Sequence, residues 1–170
     1  MRWYLRVLGV AAFGVFGAGD VMADEICPAL KALLASPPAG FVALRGEKTS
    51  AVWPIWTAKP FLAEAACELR GEVGDAQHEL RCTVNNKAAA AVTTAWYRAT
   101  AAAIDVCLPG LPNGSRYVRK AEVVKHADQF EGVVTSWVYD GRSEKVEIEL
   151  TDDRNFGFAS NTMTVRYLKR

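Results

Sequence analysis

Cys67, His78 and Cys82 bring three metal-ligating side chains into one short stretch, CELRGEVGDAQHELRC. A zinc site takes four ligands in close pairs, C-x2-4-C or H-x3-5-H, because one tight turn must aim two side chains at the ion. The stretch contains no such pair, so no metal is expected. Redox catalysis needs two close cysteines with a lowered pKa, and no C-x-x-C occurs. The nucleophile patterns G-x-S-x-G and S-x-x-K are absent as well. His126 with Asp128 could form a base and its orienting acid. Residues two apart orient each other poorly without a nucleophile nearby, so a solvated loop is the favoured reading. Asp140, Asp152 and Asp153 could bind calcium, but the spacing of a calcium loop is missing and aspartates serve turns. The aromatic pair in Val52-Trp53-Pro54-Ile55-Trp56 remains. Trp53 and Trp56 form either an exposed binding surface or a cap on a sheet edge. No catalytic residue, metal or cofactor is expected.

The elements that must position these residues begin after a leader. Arg2 and Arg6 precede an apolar run from Val7 to Gly19, and Val21-Met22-Ala23 places small residues for cleavage after Ala23. Asp20 keeps the run short of the ~20 residues that span a bilayer. Residues 1–23 are therefore expected to be a signal peptide and residues 24–170 one domain, periplasmic or secreted, with no stable membrane span. Losing Arg2, Arg6 and Asp20 reduces 20 basic and 19 acidic residues to 18 of each. A neutral chain is not drawn to nucleic acid by charge. The basic run Ser115 to Lys120 reads as a solvated loop.

An apolar stripe, Ile26, Leu30, Leu33 and Leu34, predicts a helix over 26–35, ended by Ser36-Pro37-Pro38. A strand is expected over 40–46 and another over 51–56, where Pro54 marks an edge or an irregular segment, then a hairpin of 65–70 and 77–84 around Gly74-Asp75. Asn85-Asn86 caps an alanine-rich helix over 87–107, with Val92, Trp96, Ala99, Ala103 and Val106 as its apolar stripe. Leu108-Pro109-Gly110 ends it. A weak strand over 121–124 precedes stronger ones over 133–139, 146–150 and 163–168, with loops at 140–142 and 152–157. Val146, Ile148 and Leu150 alternate with Glu147 and Glu149, which gives that strand one buried and one wet face. Trp96 and Trp137 belong to the core, and His78 to the surface or rim. The layout is α+β, an antiparallel sheet packed on two helices in the order α-β-β-β-α-β-β-β.

The four cysteines of an exported chain make two disulfides, with three possible connectivities. A hairpin centred on Gly74-Asp75 pairs residues whose numbers sum to 149, which sets Cys67 opposite Cys82. Cys27 begins one helix and Cys107 ends the other. Antiparallel packing brings those ends together, so Cys67–Cys82 and Cys27–Cys107 are expected.

The ordered set Cys27…Leu30, Gly40-Phe41…Leu44-Arg45-Gly46, Cys67-Glu68-Leu69, Cys82, Trp96-Tyr97 and Cys107-Leu108-Pro109-Gly110 resembles a family of small exported bacterial proteins. The family is uncharacterised in function. The resemblance, over about residues 27–110, implies two cysteine pairs and an α+β fold like that of type III secretion chaperones. The expected function is binding. The partner is another envelope or secreted protein, engaged by an inhibitor, immunity protein or chaperone-like adaptor. The alternatives are an envelope enzyme with a site near His126 and Asp128, and a structural envelope component.

Overall fold

The computed structural model describes residues 18–35, 37, 39–59, 61–62, 65–71, 76–126, 130–155 and 158–170. The first helix, α1, is Ala18–Ala35, followed by the short α2, Ala39–Ala43. Four strands follow: β1 Arg45–Lys48, β2 Ile55–Ala58, β3 Ala66–Arg70 and β4 Gln77–Ala88. Helix α3, Ala90–Cys107, crosses to β5 Val118–His126, β6 Phe130–Asp140, β7 Glu144–Asn155 and β8 Phe158–Lys169. All eight strands form one sheet in the order β1-β2-β3-β4-β8-β7-β6-β5. It is two antiparallel meanders joined where their last strands, β4 and β8, pair antiparallel.

Cross-strand neighbours share a face, so the register sorts every residue. Leu69, Leu80, Val165, Ile148 and Trp137 stand in one row across β3, β4, β8, β7 and β6. Cys82, Met163 and Leu150 stand in the next. All of these are buried, and α1, α2 and α3 cover them. Ile26, Leu30, Leu33 and Leu34 of α1 are buried as the stripe requires. The disulfides are Cys27–Cys107, tying α1 to the end of α3, and Cys67–Cys82, joining directly opposed residues of β3 and β4. The hairpin register is the expected one, from Ala66 opposite Thr83 to Arg70 opposite Glu79.

The antiparallel α+β architecture thus holds, but the sheet is larger than the expected order and carries three helices. Residues 40–46 divide between α2 and β1, because Phe41 turns fully into the core against His78, with ring centroids 5.7 Å apart. Pro54 ends an irregular loop, so β2 starts only at Ile55. Asn85-Asn86 lie inside β4. The register with β8 shifts between Val84 opposite Asn161 and Ala88 opposite Ala159, and the pairing that resumes at Ala88 carries the strand past the local capping signal. The cap position is Ala89, with no side-chain capping bond.

Helix α3 is also turned from the expected face. Val92 and Val106 are exposed, while Thr93, Thr100, Ile104 and Cys107 are buried beside Ala103. Polar pairs set this rotation. Thr94 donates to Asp152 at 3.1 Å, Tyr97 meets the Thr135 hydroxyl at 2.6 Å, and Trp137 Nε1 donates to Asp105 at 2.8 Å. The expected loop at 152–157 is overturned over its first part, because β7 runs to Asn155 and Asp152 faces the helices, 2% exposed. His78 is fully buried between Phe41 and Tyr167, not at a rim, because its strand position shares the face of Leu80. Trp137 is core, and Trp96 packs partly buried against it.

Candidate functional site

The helices leave the opposite face of the sheet uncovered among the described residues. At one corner stands Trp53, 66% exposed beside Val52 at 79%. Short-range bonds shape this loop. Both the Val52 and Trp53 amides donate to Ser50 Oγ, at 3.3 and 3.0 Å, and the Ile55 amide donates to the Trp53 carbonyl at 2.8 Å. The loop is then pinned to β3, where the Gly71 amide donates to the Pro54 carbonyl at 3.2 Å. Gly71 has φ +108°, and a Cβ there would meet the Gln77 carbonyl oxygen at 2.5 Å, so the position requires glycine. Arg45 closes the tie by donating to the Gly71 carbonyl. Trp53, Pro54, Ile55 and Arg70 line a hollow of about 510 Å³.

Trp56 does not join Trp53 there. Its ring is half-buried under the Arg45 guanidinium, 4.0 Å from the ring centre, with the Lys48 ammonium at 5.8 Å. It lines a second hollow of about 550 Å³ with Thr57, Glu68, Arg81 and Thr83. The two expected tryptophans therefore occupy different places: Trp53 projects, and Trp56 caps the edge of the sheet.

Beyond the corner, the uncovered face carries two polar rows. Ile55, Arg70, Glu79, Arg166 and Glu147 lie side by side across β2, β3, β4, β8 and β7. Thr57, Glu68, Arg81, Thr164 and Glu149 form the next row. Charge alternates along the first row, and across β3 and β4 Arg70 stands beside Glu68 and Glu79 beside Arg81, while β7 sets two carboxylates, Glu147 and Glu149, side by side. Arg166 is the hub: its Nε donates to Glu79 at 2.9 Å, its two terminal nitrogens donate to Glu149 at 3.1 and 3.3 Å, and Glu147 lies at 3.9 Å. Thr164 is nearly buried because Arg81 and Glu149 flank it.

Burial opposes the charge on Arg166, but its hydrogen bonds to Glu149 and Glu79 outweigh that and push its pKa far above the usual range. Arg166→Met leaves three carboxylates facing one another. It is expected to cost about 1–2 kcal/mol at neutral pH, shrinking toward about pH 4 as the carboxylates take up protons. Urea denaturation at the two pH values checks this, and a loss unchanged by pH would contradict it.

Asp153 of the same face is pushed above the ordinary carboxylate range by burial. Arg81 opposes the shift, and Asp152 and Glu149 add to it. The folded chain therefore binds this proton more tightly than the unfolded chain. Its ionisation weakens the fold as pH rises from the ordinary aspartate range through the raised value. Asp153→Asn is expected to remove that decline and to be the more stable protein at neutral pH. Thermal melts across mildly acidic to neutral pH test it; parallel pH slopes would contradict it.

The remaining candidates do not converge. Asp152 and Asp153 point to opposite faces, since they are adjacent in one strand, and Asp140 pairs with Arg170 at 2.7 Å. Asp152 accepts from Thr94 and from Asn161 Nδ2 at 3.4 Å, with Arg154 at 3.5 Å, a network that seats α3. His126 ends β5, and Asp128 lies outside the described residues. Among the described residues no group of three or more His, Cys, Asp or Glu side chains could hold a metal, and no helix is long and apolar enough to cross a membrane. Neither a protein-family model, a curated protein nor a solved structure matches the chain.

Proposed function

We propose that the chain is an exported, disulfide-stapled binding protein that docks on another envelope or secreted protein through the Trp53 corner. Inhibitor, immunity protein and chaperone-like adaptor are the forms this binding takes. One observation carries the reading. Trp53 is two-thirds exposed on a loop held by Ser50 and Gly71, so a large aromatic surface is presented without the ordering cost of a mobile segment. Arg70 beside it, which donates to Glu68 at 2.9 Å, adds a half-exposed cation that a partner's carboxylate can share, and the charges beyond it favour one docking orientation.

Export supports the reading. Two disulfides fit an oxidising compartment such as the periplasm or the cell exterior. In this proposal the signal peptide is cleaved after Ala23, which keeps the buried Ile26, Leu30, Leu33 and Leu34 of α1 in the mature chain. The test is affinity capture from an envelope extract with the intact protein, Trp53→Ala and Val106→Ala. Val106 is as exposed as Trp53 but lies on the outer side of α3. Trp53→Ala is expected to weaken capture about 30-fold, and Val106→Ala to leave it unchanged. Equal capture by Trp53→Ala and the intact protein would remove the corner from the proposal.

A further inference from the structure

Strand β5 ends the sheet, and Val118, Arg119, Lys120, Ala121, Glu122 and Val123 on it are all exposed. β6 uses only one side of its backbone. In an antiparallel ladder every second residue turns both its N–H and its C=O to the same side, so an edge strand offers alternate residues to a further strand. Six exposed residues in a row make a long edge to leave open, and they include two valines each 58% exposed. Arg119 is already engaged, with Asp105 at 2.5 Å and the Trp137 ring centre at 5.6 Å. Among the described residues Lys120 and Glu122 have no ion-pair partner, and both lie on the uncovered face, in line with Ser136 and Val134.

We infer that β5 pairs antiparallel with β5 of a second copy of this chain, about a twofold axis through Ala121. Both strands can hydrogen-bond only when residues of the same parity stand opposite each other. If Lys120 faces Lys120, or Glu122 faces Glu122, like charges meet at the axis. If Ala121 faces Ala121, each Lys120 stands opposite Glu122 of the second copy, and Arg119 opposite Val123. That register makes the ion pair twice and seats an exposed valine twice. It joins the two eight-stranded sheets into one, keeps the helices of both copies on the same side, and leaves the Trp53 corner free at the other end of the strand order.

Sedimentation at rising protein concentration tests this with the intact mature chain. The protein is expected to pass from monomer to dimer, at higher concentration in high salt. Lys120→Glu or Glu122→Lys sets like charges opposite each other twice, and each is expected to weaken the dimer about tenfold. The double variant Lys120→Glu/Glu122→Lys is expected to restore it. An equimolar mixture of the two single variants is expected to dimerise at concentrations where each alone stays largely monomeric. Circular dichroism establishes that each variant is folded. A chain that stays monomeric to millimolar concentration, single variants that dimerise like the parent, or a mixture that stays monomeric would each overturn the inference.

Discussion

Replacing Cys27 and Cys107 together by serine is expected to lower the free energy of unfolding by about 4–5 kcal/mol, and the Cys67/Cys82 double replacement by about 3 kcal/mol. The order follows from the closed loops. The first bond spans 80 residues and the second 15, and a longer loop restricts the unfolded chain more. The first bond also holds the helical layer together. α1 meets the sheet largely through α3, with its Ile26, Leu30, Leu33 and Leu34 stripe in the shared core and Cys27 beside it. Without the bond, α1 depends on that stripe alone. Urea denaturation of both double variants checks the magnitudes, and limited proteolysis should cut α1 first when the Cys27–Cys107 bond is gone. A smaller loss for Cys27/Cys107 than for Cys67/Cys82 would contradict the assignment of α1 to the long loop's closure.

Trp137→Ala is expected to cost about 3–5 kcal/mol. Trp137 is the largest fully buried side chain, set among Ile148, Val165 and the helices. Truncation opens a cavity under α3 and removes the indole N–H from Asp105, leaving that carboxylate with Arg119. Trp137→Phe keeps most of the apolar area and loses the polar bond, so it should cost about 1–3 kcal/mol. Asp105→Asn, which keeps an acceptor for the indole, should cost less than Trp137→Ala. Denaturation midpoints at constant m-value measure the series. Equal losses for alanine and phenylalanine would show that the hydrogen bond, not the packing, holds α3 in place.

Local pattern made much of this fold readable. The β3–β4 register followed from one turn and a constant residue sum, and Cys67–Cys82 followed from the register. The alternation of Val146, Ile148 and Leu150 with Glu147 and Glu149 placed β7 half-buried, as found. What was not readable depends on contacts distant in sequence. The Asn85-Asn86 cap signal yields to pairing with β8, more than 70 residues on. The face of α3 is chosen by Asp152, Thr135 and Trp137, which no helical periodicity can report. The burial of His78 comes from Phe41 and Tyr167, on two other elements.

The candidate site divides the same way. Trp53 beside Pro54 marked itself as an aromatic in an irregular segment. Arg70 became its neighbour only once β2 paired with β3 and set Arg70 opposite Ile55. The Arg166 hub needed the order β4-β8-β7, in which strands distant in sequence lie side by side, so its carboxylates Glu79, Glu147 and Glu149 could not be grouped beforehand.

The central claim is that the Trp53 corner is where this protein meets its partner. A photoreactive phenylalanine analogue placed in turn at Trp53, Arg70 and Val106 of the intact chain tests it most directly. The claim predicts one common crosslinked protein from positions 53 and 70 and none from position 106. No crosslink at 53 and 70, or the same product from all three positions, would contradict it.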